Sequence, residues 1–141
     1  MSLILGVSAG FHDAAVCLVD ARGHITFAAH SERYSKLKND ASISPELLKY
    51  LQQQDIETVS WYERPWMHNV QQWMSTQRRY GPWSVRGVIR QHLGDVKAKH
   101  RSWPHHLSHA AAGFQTSPFS SAAVVVIDAI GELDTISIYR A

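Results

Sequence analysis

The first thirty residues constrain the fold more than any other part of this 141-residue chain. LILGVS, AAVCLV and ITFAAH are short runs rich in aliphatic and β-branched side chains, a composition that suits a pleated, half-buried surface. Gly10-Phe11-His12-Asp13 separates the first two runs and Asp20-Ala21-Arg22-Gly23 the next two, with glycine available for the positive φ of a tight turn. Connections this short make neighbouring strands antiparallel. The expected opening is therefore a sheet of three antiparallel strands.

Helices follow. Ser44-Pro45-Glu46 predicts a helix start, with a serine cap, proline at the first helical position and an acid near the positive end of the dipole. Leu47, Leu48 and Leu51 give that helix its apolar face, and Thr58 to Tyr62 reads as a further strand. Trp66, Val70, Trp73 and Met74 fall at helical spacing, which marks the tryptophans as core residues, and Gly81-Pro82 ends the run. Val85, Val88 and Ile89 predict a second short helix ending near Gly94, with Arg78, Arg79, Arg86 and Arg90 off the apolar faces. HHLSHAAAGF is compatible with a helix that Ser117-Pro118 breaks. AAVVVID is a continuous apolar run, expected to be a strand covered on both faces, and TISIY closes the chain as a strand. The whole reads as a mixed α/β domain with a helical insertion over 61–103.

Charge is distributed unevenly. Residues 1–60 carry net −2, residues 61–103 net +6 and residues 104–141 net −2, and all five tryptophans fall in the basic stretch. Interleaved arginine and tryptophan admit an RNA-binding surface, but tryptophans at core spacing argue against it, and nucleic acid is not expected as a partner. A single cysteine, Cys17, rules out an internal disulfide framework. No apolar run approaches the ~20 residues of a membrane span, and the N-terminus lacks a basic signal-peptide region. A soluble cytoplasmic protein is expected.

Two places could carry chemistry. His105 and His109 stand four apart on the alanine-rich helix, which puts two imidazoles on one face. Asp128 ends the apolar strand, where a carboxylate could join them around Fe²⁺, Mn²⁺ or Zn²⁺. With nine histidines such a pair also arises by coincidence, and Asp128 could simply cap a turn. His106 should point elsewhere and pack. His12, on the first hairpin tip beside Asp13, could transfer protons or donate to an oxyanion, or be an ordinary polar turn residue. Ser31 to Lys38 could clamp an anion or be a solvated loop.

Four blocks carry a resemblance: LGVSAGFHDAAVCLVD, HSERYSKLKND, HHLSHAAAGFQTSPF, and AAVVVIDAIGE leading into TISIY. In this order, over nearly the whole chain, the sequence resembles the N-terminal portion of the O-carbamoyltransferases that modify nodulation factors and antibiotics. The resemblance implies a lobe of the actin-like ATPase (ASKHA, ribonuclease H-like) fold, related to the tRNA threonylcarbamoyladenosine synthases. It implies carbamoyl phosphate and ATP as substrates, a carbamoyl-adenylate, a small-molecule hydroxyl acceptor and a divalent metal, typically iron. By motif position His105, His109 and Asp128 would be metal ligands and His12 the active-site histidine. Lys38 would stabilise anionic substrate, and Gly10 and Gly131 would lie against the nucleotide.

The chain departs from that pattern at Asp128-Ala129-Ile130-Gly131-Glu132, where the family usually reads Asp-Gly-x-Gly-Glu. It also stops directly after a strand. The expectation is an N-terminal fragment over 1–141, without the second lobe and C-terminal domain, inactive alone and prone to homo-oligomerise through uncovered apolar surface. A threonylcarbamoyl-type tRNA-modifying protein and a non-catalytic metal- or RNA-binding module are the alternatives.

Overall fold

A computed structural model describes residues 2–76 and 81–141. Arg78 and Arg79 of the basic stretch lie outside the described residues. The chain is α/β and divides into two compact units, Met1–Trp61 with Ser84–Arg101, and Tyr62–Trp83 with Ser102–Ala141.

The first unit is built on a five-stranded mixed sheet in the order β3-β2-β1-β4-β5. Its strands are β1 (Leu3–Ser8), β2 (Ala15–Val19), β3 (Ile25–His30), β4 (Ile56–Trp61) and β5 (Lys99–Ser102). The first three run antiparallel in succession, as the tight turns require, and β4 joins β1 in parallel. Alternation sends Leu5, Val7, Val16, Leu18, Val59 and Trp61 into the core. Leu47 and Leu51 of α2 (Pro45–Leu51) and Val88, Ile89 and Leu93 of α4 (Val85–Leu93) are buried with them. Each such side chain contributes roughly 1.5–3 kcal/mol by leaving water.

α2 begins as its sequence predicts, and α4 begins on a serine cap that the sequence reading did not name. Ser44 Oγ accepts from the Leu47 amide, and Ser84 Oγ from the Gly87 amide. Gly94 ends α4 at φ 77, where a side chain would be strained. The segment read as a loop or clamp after β3 contains a one-turn helix, α1 (Glu32–Ser35), and β5 was not anticipated.

The second unit pairs α3 (Pro65–Thr76) and α5 (His105–Gln115) with a two-stranded antiparallel sheet of β6 (Ala123–Gly131) and β7 (Asp134–Arg140). α5 packs on β6. Two expectations need correction. β6 is not covered on both faces: among the described residues it has one strand neighbour, and Ile127 is 77% exposed. The run is apolar, yet burial alternates along it, with Val126 inside and Val125 outside. Nor are the helical tryptophans core residues. Trp66 and Trp73 are about half exposed, and the buried tryptophan is Trp61, on a strand. Helical spacing defines a common face but does not supply a partner to cover it. Among the described residues no helix is long and apolar enough to cross a membrane.

Candidate metal centre

The alternation that turns half-buried Val124 and buried Val126 inward carries Asp128 to the same side of β6, two residues further on. On α5, His106 and Ala110 form the buried stripe, and His105 and His109 flank it one turn apart. The two patterns meet. His105 Nε2 lies 2.9 Å from Asp128 Oδ2 and 3.0 Å from His109 Nε2, and His109 Nε2 lies 3.5 Å from the same carboxylate oxygen.

These separations suit a cation. Ligand bonds of about 2.0–2.2 Å put neighbouring donors roughly 3.0–3.5 Å apart around one ion. Two imidazole nitrogens and one carboxylate oxygen form the donor set that divalent Fe, Mn or Zn accepts. The three residues offer ligand atoms all within 4.8 Å of one another. Donor chemistry and spacing therefore both fit a divalent metal.

The surroundings set the two imidazoles apart. Glu63, then Asp128, hold the His105 pKa above its ordinary value despite burial. Burial and the adjacent His105 push His109 down. Burial alone would raise Glu63, but His105 and His68 overcome it and hold the carboxyl at about 2. His106 is buried and hydrogen-bonded to Ser137 Oγ at 2.6 Å, so it packs α5 on the hairpin.

Three residues absent from the sequence reading complete the neighbourhood. Glu63 Oε2 lies 3.5 Å from His68 Nδ1 and 3.8 Å from His105 Nδ1. Arg64 donates its backbone amide to Glu132 Oε1 at 2.7 Å and its Nε to Oε2 at 3.0 Å. Glu132 occupies the turn after Gly131, which pairs with Asp134 at the end of β6. Glu63 is one of only two acids in the basic stretch 61–103, and that isolation was the available signal.

His12, Gly10 and Lys38 lie in the other unit. The loop carrying His12 is clasped at its base: Gly10 N–H donates to Ala41 O at 2.8 Å and Ala14 N–H to Asp40 O at 2.7 Å. Those bonds set the hairpin tip beside the segment that follows Lys38. His12 is exposed, with Nδ1 2.8 Å from Asp13 Oδ2. Gly10 has φ 99, and a Cβ there would come within 3.2 Å of His92 Nε2. Its amide is taken up by Ala41 O.

Residues 44–141 match the family described as carbamoyltransferase N-terminus. The chain is also 30% identical over 171 aligned residues to the uncharacterized protein sll1178 of Synechocystis sp., an alignment covering 99% of this chain and 27% of that protein. It thus spans about a quarter of that relative's length. The match takes in α5, β6 and β7, the elements that carry His105, His109 and Asp128, and the chain belongs to the carbamoyltransferase N-terminus family.

Proposed function

We propose that this chain is the N-terminal part of a metal-dependent O-carbamoyltransferase, built on an actin-like ATPase lobe. Its substrates would be carbamoyl phosphate and ATP, and its acceptor the hydroxyl of a small molecule. The observation that carries the reading is the convergence of His105, His109 and Asp128 in a chain of this family.

His105, His109 and Asp128 would hold a divalent metal, with Fe²⁺ the first candidate. Such an ion supplies Lewis-acid stabilisation for charge that develops on oxygen. Water would release phosphate from carbamoyl phosphate, and the resulting carbamate would displace pyrophosphate from ATP to give the carbamoyl-adenylate. Transfer then forms a bond from the acceptor oxygen to the carbamoyl carbon and breaks the bond from that carbon to the adenylate phosphate oxygen, releasing AMP. The acceptor's proton must leave as the bond forms, and the imidazole of His12, exposed on its hairpin, would take it. Lys38, exposed on the neighbouring segment, would offset phosphate charge. Gly10 and Gly131 would let backbone approach the nucleotide.

The test supplies the chain with the part of the Synechocystis relative beyond the matched region, together with ATP, labelled carbamoyl phosphate, Fe²⁺ and a panel of free sugars as hydroxyl acceptors. Carbamoyl-phosphate-dependent AMP formation is expected. His12→Ala should abolish transfer while bound iron persists, and His105→Ala should remove both. Transfer indifferent to both substitutions contradicts the assignment.

A further inference from the structure

We propose that Glu63 is a positioning residue for the metal centre: its carboxylate, braced by His68, fixes the His105 ring so that Nε2 faces the ligand position. The inference rests on the metal reading of His105, His109 and Asp128.

The first observation is an unmet need. His105 Nδ1 is sealed from solvent and has no hydrogen bond. A buried ring nitrogen in that state calls for a partner. Glu63 Oε2 faces it at 3.8 Å, while Asp128 engages Nε2, the other nitrogen of the same ring. Closing the Glu63 gap by about 1 Å makes a hydrogen bond.

The second observation is how Glu63 is held. Its side chain is 13% exposed, and the same oxygen that faces His105 lies 3.5 Å from His68 Nδ1. Its sequence neighbours are pinned to the elements that carry the ligands. Ser108 Oγ, on α5, donates to the Tyr62 carbonyl at 2.7 Å. Arg64 is bonded through backbone and side chain to Glu132 at the β6–β7 turn. Glu63 is thus fixed relative to both halves of the donor set, as a purely solvating carboxylate need not be.

A carboxylate on Nδ1–H selects the tautomer whose Nε2 lone pair is free, and it orients the ring. Loss of such a partner typically weakens metal binding 10–100-fold. His68, on the far side of Glu63, holds the carboxylate in place.

The experiment uses the full 141-residue chain. Co²⁺ is titrated by visible absorption into wild type, Glu63→Gln and Glu63→Leu, and the His105 Nδ1–H proton is followed by NMR in the Zn²⁺-loaded forms. Glu63→Leu should bind Co²⁺ about 10–100-fold more weakly and lose the slowly exchanging Nδ1–H signal. Glu63→Gln, which keeps an acceptor without charge, should fall between and shift that signal. Far-UV circular dichroism checks folding, and if the leucine variant does not fold the glutamine variant carries the test. Equal affinities with an unchanged ring-proton signal overturn the inference, as does lowered stability with neither altered. A wild-type chain that takes up neither ion removes the metal reading and the inference with it; wild-type uptake with unaffected variants removes the inference alone.

Discussion

Glu132 sits at φ 53, in the left-handed region that a non-glycine residue occupies only when its surroundings hold it there. Arg64 does the holding, through two side-chain bonds and one from its amide. Arg64→Ala would remove the cation from a buried carboxylate, leaving it only the amide bond, and cost about 3 kcal/mol. The check is a lower urea midpoint at unchanged slope. A second residue-scale prediction concerns acid. Burial, with its ring stacked on Trp61 at 5.3 Å, lowers the His92 pKa. The unfolded chain then binds more protons than the folded one as pH falls below about 6.5, so stability drops on the acid side. His92→Phe keeps a ring on Trp61 and removes the titration. Relative to wild type, its urea midpoint should be higher at pH 5.5 than at pH 7.5. The metal candidates were picked out at this scale by local pattern, i,i+4 for the histidines and the end of the apolar run for Asp128, although β6 continues past Asp128 to Gly131. Glu63 was not, since its meaning comes from a contact forty-two positions away with His105.

At the scale of elements, the best-read segments were those whose ends carry their own chemistry. Ser44 caps α2 through its hydroxyl, and its amide donates to the buried Ser31 Oγ at 2.8 Å. Ser31 N–H in turn bonds Ala14 O at 2.7 Å, so one serine ties the start of α2 to the base of the loop that carries His12. Ser44→Ala should cost about 1 kcal/mol. Ser31→Ala, which orphans a buried amide, should cost about 1–3 kcal/mol. Thermal unfolding of the two variants checks the order. Elements that depend on their neighbours were read less well. The four residues of β5, Lys99-His100-Arg101-Ser102, have no apolar alternation and become a strand only by pairing at the sheet edge. AAVVVID has the composition of a doubly covered strand, but composition does not state how many neighbours a strand has.

At the scale of the molecule, the same limit governs the exposed surface. Val125 faces Ile138 and Ile127 faces Ile136 across the hairpin, and all four are more than half exposed. A β-branched face of this kind next to an edge strand favours association. Ile127→Lys with Ile136→Glu should reduce light scattering at high concentration and leave metal uptake unchanged. The mixed α/β class and the three-strand opening followed from the sequence because they rest on turn length and strand patterning. The division into two units did not, because it cuts through the basic stretch between Trp83 and Ser84, where composition gives no boundary.

The donor triangle of His105, His109 and Asp128 is most directly tested by an anomalous difference map from crystals of this chain grown with Fe²⁺ or Zn²⁺. The account predicts one peak, about 2.1 Å from an imidazole nitrogen of each histidine and from an Asp128 oxygen. A peak held by other residues, or metal-free histidines in crystals that contain the ion elsewhere, would contradict it.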